Sequence, residues 1–510
     1  MLDIKNVTIS KKEDSRLLIK DFNFTLNQGD KAVIIGEEGN GKSTLLKFIY
    51  SKELLENYCD YSGQILGHNK MGYLEQEMEE KWLNCTVQEF LAEVDLYSCS
   101  DPGIWTMNLE PSIFNSSQLI KTLSGGEKVK LRLIKLLAEE PDVLLMDEPT
   151  NDLDISTLLW LEEFINNTKC PIIYVSHDEA MIENTANIII HLEQVKRKTE
   201  PHYTVAYMSY EEYAQKRLSG LKKQEMVARK QREDYKSKMQ RWQQIYNKVD
   251  SQQDNISRGN PAGGRLLKKK MKNLLSQEKR IEKKAEEFLE KPDVEEAILF
   301  DFPEGTQIPN GKKILEYSLE VLKVRNEGED RVLAENLFLR VIGPEHVAII
   351  GDNGTGKTTF LHGIVKELLS RRDIKAGYMP QNYEEILDYT MNPVDFLVSS
   401  GRKEDITKAF TFMGGMKFTR EEMEHKIGEL SGGQKAKLIL LKLILDGCNV
   451  LILDEPTRNL SPLSNPVIRG VLSEYKGTII SITHDRKYIE EVATTVYELT
   501  RQGLKRIDFD

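Results

Sequence analysis

The sequence Gly36-Glu-Glu-Gly-Asn-Gly-Lys-Ser-Thr44 directly follows the apolar run Lys31-Ala-Val-Ile-Ile35. A strand, a glycine-rich turn and a Lys-Ser pair opening a helix form the phosphate-binding pattern G-x-x-x-x-G-K-[ST]. Its glycines let backbone N–H groups point at phosphate oxygens, and the helix N-terminus adds positive partial charge. Lys42 is placed to reach the β- and γ-phosphates, and Ser43 to hold Mg²⁺. This stretch predicts a nucleoside triphosphate site in an α/β fold.

A second motif places two carboxylates at the end of another apolar run, Val143-Leu-Leu-Met-Asp-Glu-Pro-Thr150. A core strand explains the apolar residues but not two adjacent acids at its end. In a phosphate-transfer site, Asp147 suits a role linked to Mg²⁺ and Glu148 suits activation of the attacking water. Downstream, Val175-Ser-His-Asp178 carries a single histidine, and a lone histidine is more often a structural hydrogen-bonding group than a catalytic one.

These motifs occur twice in the same order. The first copy adds Gly72-Tyr-Leu-Glu-Gln76 and Leu123-Ser-Gly-Gly-Glu127, and the second comprises Gly351-Asp-Asn-Gly-Thr-Gly-Lys-Thr-Thr359, Gly377-Tyr-Met-Pro-Gln381, Leu430-Ser-Gly-Gly-Gln434, Val450-Leu-Ile-Leu-Asp-Glu-Pro-Thr457 and Thr483-His-Asp485. Ser124 and Asp147 are 23 positions apart, as are Ser431 and Asp454, and 30 positions separate each aspartate from the histidine that follows it. A repeat with preserved order and spacing predicts two domains of one fold.

Between the two sets lies a charged segment with few prolines, from about Tyr210 to Lys291. Its apolar residues fall on positions separated by alternating steps of four and three, which is the a/d pattern of a coiled coil: Ala214, Leu218, Leu221, Ala228, Tyr235, Met239, Trp242, Tyr246 and Val249, then Leu267, Met271, Leu274, Ile281, Ala285 and Phe288. Polar residues interrupt the pattern at Glu225, Arg232 and Glu278. Glycines and a proline within 251–265 predict a break in the helix. The segment therefore predicts an antiparallel helical hairpin, with Trp242 and Tyr246 in its seam.

The hairpin segment differs from the rest of the chain in charge. Residues 211–291 contain 22 Lys and Arg against 12 Asp and Glu, a net charge of +10, whereas the whole chain carries −11. A solvated coiled-coil surface intersperses the two signs. Here basic residues gather beside and inside the tip instead: Arg258, Arg265, Lys268, Lys269, Lys270 and Lys272. We therefore expect the tip to contact a polyanion.

The remaining composition narrows the class of protein. A chain of 510 residues is long enough for two or more domains with ample cores. Its five cysteines form no C-x-x-C pair, which fits a reducing compartment: Cys59, Cys85, Cys99, Cys170 and Cys448. No apolar run approaches the roughly 20 residues that span a bilayer, and the first residues show no signal-peptide core. We expect a cytoplasmic protein.

The two motif series resemble the nucleotide-binding domain of the ABC ATPases, with Walker A, Q-loop, LSGGQ signature, Walker B, D-loop and H-switch in order. The resemblance covers nearly all of residues 1–195 and 315–510. In that family two domains close head to tail, so each ATP lies between one Walker A and the signature of the other domain. The resemblance implies a Mg²⁺-dependent ATPase with two composite sites, in which Glu148 and Glu455 are catalytic together with His177 and His484.

The resemblance also assigns the residues of each site. ATP would contact Gly36, Gly39, Gly41, Lys42, Ser43, Thr44, Gln76, Ser431, Gly432 and Gly433 in the first site, and Gly351, Gly354, Gly356, Lys357, Thr358, Thr359, Gln381, Ser124, Gly125 and Gly126 in the second. Mg²⁺ would be held by Ser43, Gln76 and Asp147, and by Thr358, Gln381 and Asp454.

Tandem cassettes joined by a basic hairpin, without membrane spans, resemble the ABC-F group of translation factors. In that group the linker enters the ribosomal exit-site region and its tip approaches the peptidyl-transferase centre. Some members insert an arm between Q-loop and signature, but 48 positions separate Gln76 from Ser124 and 50 separate Gln381 from Ser431, so no arm is present. The pattern looks most like the Vga/Lsa type of ribosome protection protein, which dislodges lincosamide, pleuromutilin and streptogramin A antibiotics.

This resemblance implies large-subunit rRNA and P-site tRNA as partners of a monomer whose cassettes pair within one chain. The RNA contacts would come from the tip and the adjoining helix: Arg258, Asn260, Arg265, Lys268, Lys269, Lys270 and Lys272. A flexible turn explains the glycines and asparagine of the tip equally well. The expected domains are 1–195, a linker at 196–300 with its tip at about 251–265, and 301–510.

Two other ATPases built from such cassettes remain open. The ATPase subunit of a transporter also has tandem cassettes, but it needs a short connector rather than a basic coiled coil. A DNA-repair or chromosome ATPase has a coiled coil inside one cassette, between Walker A and signature. Here the coil lies between two complete cassettes, which favours the ribosomal interpretation.

The two sites are chemically unequal. Lys11 stands where the family commonly has an aromatic residue that stacks on adenine, and Glu38 replaces the usual Asn of Walker A. The second D-loop reads Arg458-Asn-Leu-Ser461 where the first reads Asn151-Asp-Leu-Asp154. Arg486 follows the second histidine motif, and the first lacks this arginine. We expect the two sites to hydrolyse ATP at different rates.

Overall fold

The computed structural model describes residues 1–67, 70–92, 117–195, 200–255, 261–285, 306–326, 329–398 and 401–508. The chain divides into two compact units. One contains Met1–Tyr213 and Ile298–Asp510, and the other contains Ala214–Ala297. Within the described ranges, no helix combines the length and the apolar character needed to cross a membrane.

The first cassette is built on two sheets. Its strands are β1 Leu2–Lys11, β2 Leu17–Leu26, β3 Lys31–Ile35, β4 Cys59–Leu66, β5 Met71–Leu74, β6 Val143–Asp147, β7 Ile172–Val175, β8 Ile188–Val195 and β9 Glu200–Ala206. A six-stranded sheet has the order β5-β6-β7-β3-β8-β9, and a smaller antiparallel sheet has the order β2-β1-β4. In the larger sheet only β9 runs antiparallel to its neighbour. Strands β3, β6 and β7 are buried throughout, which explains their continuous apolar runs.

The helices of the first cassette follow the motifs. They are α1 Lys42–Tyr50, α2 Glu80–Leu83, α3 Val87–Phe90, α4 Gly125–Leu137, α5 Ile155–Asn167 and α6 Glu179–Thr185. Helix α1 begins at the Walker A lysine, and α4 begins within the signature. Because the carboxyl ends of parallel strands meet at one edge of a sheet, this topology gathers the Walker A, Walker B and histidine motifs there.

Two long helices form the second unit, α7 Tyr210–Asp254 and α8 Pro261–Ala285. Trp242, Val249 and Leu274 are buried between them, with partly buried seam residues around these three: Met239, Tyr246, Leu267 and Met271. The Trp242 indole Nε1 donates a hydrogen bond to the Leu274 backbone oxygen at 2.9 Å. The predicted seam is therefore formed on the part of the hairpin next to the connection.

The helical break is shorter than the sequence predicted. Helix α7 continues to Asp254 and α8 begins at Pro261, so most of the expected 251–265 break is helical. Proline is tolerated in the first helical turn because its missing N–H has no partner there. Gly263 and Gly264 weaken a helix by only about 1 kcal/mol each. The predicted tip residues Arg258 and Asn260 lie outside the described residues.

The second cassette repeats the first. Its elements are β10 Lys312–Asn326, β11 Glu329–Gly343, β12 His346–Ile350, α9 Lys357–Ser370, β13 Ala376–Met379, α10 Pro393–Leu397, α11 Lys403–Gly415, α12 Arg420–Glu424, α13 Gly432–Leu445, β14 Val450–Asp454, α14 Asn465–Ser473, β15 Thr478–Ile482, α15 Arg486–Val492, β16 Thr495–Thr500 and β17 Gly503–Ile507. The main sheet has the order β13-β14-β15-β12-β16-β17, the same topology as in the first cassette, and β10 and β11 form a separate antiparallel pair. The prediction of two α/β domains of one fold joined by a helical hairpin is confirmed.

Candidate nucleotide-binding sites

The two Walker A loops require glycine at fixed positions. Gly36 has φ 145° and Gly351 has φ 147°. A Cβ atom on Gly36 would lie 2.1 Å from the Leu192 backbone oxygen, and one on Gly351 would lie 2.5 Å from that of Leu499. Gly41 and Gly356, the helix N-caps of α1 and α9, also have positive φ. The glycines of the motif thus satisfy both backbone conformation and close packing, and leave a concave loop of backbone N–H groups.

Each Walker A lysine is held inside its own loop. The Lys42 ammonium donates to the backbone oxygens of Gly36 at 2.9 Å and Glu37 at 3.0 Å. The Lys357 ammonium donates to those of Gly351 at 2.7 Å and Asp352 at 2.9 Å. Both side chains are buried. This arrangement fixes a positive charge inside each loop, where the phosphate-binding pattern predicts contact with the β- and γ-phosphates.

The Walker B aspartates lie at the ends of β6 and β14, beside the hydroxyl groups that open α1 and α9. Ser43 Oγ donates to Asp147 Oδ1 at 2.9 Å, and Tyr73 donates to Asp147 Oδ2 at 3.2 Å. In the second cassette, Asp454 Oδ2 is buried with no hydrogen-bond partner among the described residues. Burial, opposed by a hydrogen bond from Thr358, raises the pKa of Asp454 to about 6.

These oxygens fit Mg²⁺, which prefers hydroxyl, carboxylate and phosphate oxygens. The buried, unsatisfied carboxylate oxygen of Asp454 is the kind of group that a bound cation satisfies. In the described ranges, no three His, Cys, Asp or Glu side chains are grouped to hold a metal. A cation at either site would therefore depend on Ser43 or Thr358 and on phosphate oxygens in addition to one aspartate.

Glu148 and Glu455, the two glutamates predicted to be catalytic, occupy a sharp bend directly after a buried strand. Glu148 has φ 47° and Glu455 has φ 52°, a backbone conformation that non-glycine residues rarely adopt. The Glu148 N–H donates to the Val175 oxygen at 3.0 Å, and the Glu455 N–H donates to the Ile482 oxygen at 2.9 Å. The neighbouring strand thus holds each strained backbone, as expected where position matters more than local stability.

In the first site the glutamate is held as a charged carboxylate. Glu148 Oε1 lies 3.1 Å from His177 Nε2, and Glu148 Oε2 accepts from the D-loop amide of Asn151 at 3.1 Å. Burial opposes ionisation, but the hydrogen bond and charge of His177 and the charge of Lys42 lower the pKa of Glu148 to about 2.

In the second site the glutamate is less firmly held. Glu455 Oε1 lies 3.7 Å from His484 Nε2, and Glu455 Oε2 accepts from the His484 N–H at 3.3 Å. Burial and the neighbouring Asp454 raise the pKa of Glu455 to about 8. Burial and the charge of Lys357 lower the pKa of His484 to about 4. The inequality expected from the two D-loops therefore extends to the carboxylates of Glu148 and Glu455.

Contacts across the cassette interface join the two sites. His177 Nδ1 lies 2.9 Å from the backbone oxygen of Leu460 in the second D-loop. Arg458 of that D-loop pairs with Asp152 Oδ1 of the first D-loop at 2.7 Å, and the Asn353 amide donates to the Asp152 backbone oxygen. The cassettes therefore meet through their D-loops, and Asn353 of the second Walker A joins this contact.

A carboxylate already contacts one signature. Glu38 Oε2, in the first Walker A loop, accepts a hydrogen bond from the Gly433 N–H at 3.2 Å. Gly433 lies in the first turn of α13, where N–H groups have no helical partner and attract negative charge. Glu38 is therefore a negative charge at the position where the resemblance places a γ-phosphate oxygen.

A cavity of about 420 Å³ lies at the first Walker A. Its described lining consists of Lys11, Leu18, Glu38, Gly39, Gly41, Lys42, Ser43, Thr44, Gln76, Glu148, Asn151, His177, Arg458 and Asn459. The structure thus places Gln76 and Lys11 beside the Walker A loop. Lys11 takes the expected place of a stacking aromatic and offers a cation instead of a ring.

A second cavity of about 330 Å³ lies at the second Walker A. The second cassette contributes Asn353, Gly354, Gly356, Lys357, Thr358, Thr359, Gln381, Asp454, Glu455, Thr457, Arg458, Asn465, Ile482, His484 and Asp485, and the first contributes Thr150, Asn151, Asp152, Leu153, Leu158, His177 and Asp178. A Cβ on Gly125 would lie 2.5 Å from the Asp152 oxygen and one on Gly433 would lie 2.7 Å from the Asn459 oxygen, so each signature packs against its own D-loop. The described lining of this cavity includes the first D-loop and does not include Ser124, Gly125 or Gly126.

Both signatures start their helices with a capping box. Ser124 accepts from the Glu127 N–H at 3.2 Å while Glu127 accepts from the Ser124 N–H at 2.8 Å. Ser431 and Gln434 form the same pair. A serine three residues before an acid or amide predicts this cap from sequence alone. The first signature differs from the second in placing a carboxylate there.

The described part of the predicted RNA-contact set lies on the solvent side of α8. Arg265, Lys268, Lys269, Lys270 and Lys272 are all exposed. Trp242 and Tyr246 belong to the seam, where their rings stack with centroids 5.1 Å apart.

Sequence reasoning missed several residues that shape the sites. Tyr73 stands in the Q-loop motif, which assigns it no role, and its hydroxyl donates a hydrogen bond to Asp147. Arg132 on α4 donates to the Glu75 backbone oxygen and so ties the Q-loop to the signature helix. An arginine on a helix is unremarkable in a sequence, so no local signal could have found this contact.

The comparison with known proteins agrees with this geometry. The family model described as ABC transporter matches residues 19–151 and 335–458, just over half of the chain. The chain is 26% identical over 561 residues to ABC transporter F family member 5 of Arabidopsis thaliana, covering 97% of this chain and 75% of that protein. It is 29% identical over 519 residues to the ribosome protection protein VmlR of Bacillus subtilis (strain 168), covering 99% and 88%.

The fold is similar to that of a solved two-cassette protein. The crystal structure of the complex of archaeal ribosomal stalk protein aP1 and archaeal ribosome recycling factor aABCE1 matches with a TM-score of 0.60. The identity is 15%, and the match covers 98% of this chain and 90% of that one. At this identity the likeness concerns the fold.

Proposed function

Because the chain belongs to the ABC transporter family and is an ATPase, we propose that it is an ATP-gated, ribosome-binding factor of the ABC-F type. Its linker enters the ribosome near the peptidyl-transferase centre, and there displaces P-site tRNA and bound lincosamide, pleuromutilin or streptogramin A antibiotics. The similarity to VmlR over nearly the full length of both chains supports the ribosomal part of the proposal. The exposed basic residues of α8 support contact with RNA, since they attract phosphate without needing a base sequence.

The observation that carries this proposal is a contact at the root of the linker. Tyr210 and Tyr213, in the first turn of α7, belong to the unit that contains both cassettes. The Tyr210 hydroxyl donates to the Pro462 backbone oxygen of the second cassette at 2.9 Å, and the Tyr213 hydroxyl lies 2.8 Å from His191 Nδ1 of the first. Pro462 lies two residues after Leu460, whose backbone oxygen contacts His177. The start of the linker helix is thus tied to both cassettes and to the D-loop beside a catalytic histidine.

This connection gives a mechanism for gating. ATP would be held by the Walker A loop and lysine of one cassette and, as the family resemblance implies, by the signature of the other, beside the D-loop that lines the cavity. Mg²⁺, held by Asp147 or Asp454 with the adjacent hydroxyl group, would neutralise the charge that develops on the phosphates. Glu148, a charged carboxylate, would orient the attacking water and accept its proton, and Glu455 would have the same role at the second site when it is ionised. Loss of the γ-phosphate removes the contacts that hold the D-loop interface closed, and the root of α7 moves with it.

A sedimentation experiment tests the proposal. The double variant Glu148→Gln, Glu455→Gln binds ATP but should hydrolyse it very slowly, so it should sediment with ribosomes through a sucrose cushion when ATP is present. The matched control, Lys42→Ala with Lys357→Ala, loses the phosphate contacts and should stay in the supernatant. Absence of ribosome binding by a folded double variant would overturn the proposal and favour the alternative, the ATPase subunit of a transporter.

Lysine substitutions test the RNA contact separately. Replacing Lys268, Lys269, Lys270 and Lys272 by alanine should abolish most ATP-dependent sedimentation and leave basal ATP turnover unchanged. The control removes four exposed lysines elsewhere on the hairpin: Lys222, Lys223, Lys230 and Lys236. Equal loss in the two sets would show that only total charge matters, and would contradict a contact site beside the tip.

A further inference from the structure

The cassette interface contains two buried ion pairs outside the nucleotide sites. Arg486, at the start of α15, pairs with Glu162 on α5 and lies 3.4 Å from Asp178. Arg469, on α14, pairs with Glu179 at the start of α6, with 2.7 Å between Nη1 and Oε2. Arg469 is only 1% exposed. In each pair the acid comes from the first cassette and the arginine from the second.

The internal repeat relates these two pairs to each other. Asp147 and Asp454 are equivalent positions of the repeat, and the same interval separates Glu162 from Arg469 and Glu179 from Arg486. Helices α6 and α15 correspond residue for residue under this spacing. The pair Glu162–Arg486 is therefore the image of the pair Arg469–Glu179, with the charges exchanged between the cassettes.

A third position follows the same rule. The Asn184 amide donates to Glu162 Oε2 at 2.9 Å, and its counterpart Glu491 accepts from the Arg469 guanidinium at 2.9 and 3.0 Å. In each cassette the buried charge is thus hydrogen-bonded to a neighbour in the same cassette, a donor for Glu162 and an acceptor for Arg469. The agreement of the two environments shows that the charge exchange involves a set of positions and not one substitution.

We propose that these opposite charges at equivalent positions, which we call the pairing code, favour pairing of a first cassette with a second cassette. They disfavour pairing of two like cassettes from different copies of the chain. Two first cassettes facing each other would place Glu162 against Glu179 twice, and two second cassettes would place Arg469 against Arg486 twice. Like charges placed against each other in an interface strongly weaken association. The D-loop pair Arg458–Asp152 also joins a base of the second cassette to an acid of the first, but both of its side chains are more exposed than Arg469 and Arg486.

The burial of these charges supports a role in specificity. A buried ion pair contributes little net stability compared with apolar residues of similar volume, because both ions lose their hydration. Removing one partner leaves a buried, uncompensated charge. The arrangement therefore adds little to the correct pairing but strongly penalises the wrong one, which is how interfaces reject competing partners.

Exchange of the charge sets tests the code in the full-length chain. The first-cassette exchange Glu162→Arg, Glu179→Arg, Asn184→Glu makes both faces basic. The second-cassette exchange Arg469→Glu, Arg486→Glu, Glu491→Asn makes both acidic. Each three-residue variant should lose at least about tenfold in ATP turnover, because its cassettes repel. The six-residue variant restores opposite charges and should recover turnover to within about threefold of wild type.

Mixing the two three-residue variants provides a second measurement. The basic chain and the acidic chain should associate, giving a dimer mass by light scattering and a gain in ATP turnover that neither chain shows alone. The code is overturned if the three-residue variants keep wild-type turnover, or if neither mixing nor the six-residue variant restores it. Neither ATP turnover nor light scattering involves ribosomes, so failure of the pairing code can be distinguished from failure of the proposed function.

Discussion

The His177 ring lies between the two cassettes: its Nε2 is 3.1 Å from Glu148 Oε1 and its Nδ1 is 2.9 Å from the Leu460 backbone oxygen. The equivalent Nδ1 atom of His484 is buried and has no hydrogen-bond partner among the described residues. His177 thus bridges its own glutamate and the opposite D-loop, whereas the Nδ1 atom of His484 makes no such hydrogen bond within the described residues. Turnover at the first site is expected to depend on cassette closure more directly than turnover at the second.

The two glutamates should differ when substituted singly. Glu148→Gln should lower total ATP turnover more than Glu455→Gln, because Glu148 is a charged carboxylate held by two side chains and Glu455 is not. Removal of a general base costs on the order of 10²–10⁴-fold at the affected site. Steady-state phosphate release at saturating ATP measures both variants. Equal residual turnover would contradict the inequality of the sites.

Glu38 should weaken nucleotide binding at the first site. Glu38→Asn removes a negative charge next to the phosphates and frees the Gly433 N–H, so ATP should bind on the order of five- to tenfold more tightly there. The reciprocal change Asn353→Glu places the charge at the equivalent position of the second Walker A and should weaken binding by a similar factor. Titration with a fluorescent ATP analogue in the Glu148→Gln, Glu455→Gln background measures both. A change in the same direction for both variants would refute the charge argument.

Tyr210 should couple the cassettes to the linker. Tyr210→Phe removes one buried hydrogen bond to Pro462, worth about 0.5–1.5 kcal/mol, and leaves the nucleotide sites untouched. Basal ATP turnover should be unchanged, while the ratio of ribosome sedimentation with and without ATP should fall several-fold. Tyr207→Phe is the matched control, since Tyr207 is 66% exposed. A normal ratio in Tyr210→Phe would remove this contact from the gating mechanism.

Two glycine substitutions should act in opposite directions. Gly36→Ala combines a backbone conformation unsuited to alanine with a Cβ clash against Leu192, so the first cassette should lose ATP binding and melt at a lower temperature. Gly220 lies in α7 with open space around its Cβ position. Gly220→Ala should stabilise the hairpin by about 0.5–1 kcal/mol. Thermal melting followed by circular dichroism compares the two, and destabilisation by both would show that the helix does not tolerate a side chain at 220.

The sequence by itself determined the features that depend on local pattern. The glycines of Gly36–Thr44, the acids after β6 and β14 and the exact spacing of the repeat identified two cassettes, because backbone conformation and strand burial impose these residue types at short range. The seven-residue periodicity located the seam around Trp242 for the same reason. The extent of the break near Pro261 was misjudged because proline ends a helix in its interior but not in its first turn.

Only the tertiary structure decided which residues meet across the interface. No sequence pattern pairs His177 with Leu460 or Arg469 with Glu179, since each contact joins residues far apart in the chain. The opposite charges at equivalent positions of the repeat form ion pairs only because the fold places the two cassettes face to face. Interface contacts depend on how two whole cassettes dock, and that docking is the sum of many weak, long-range interactions that local patterns do not record.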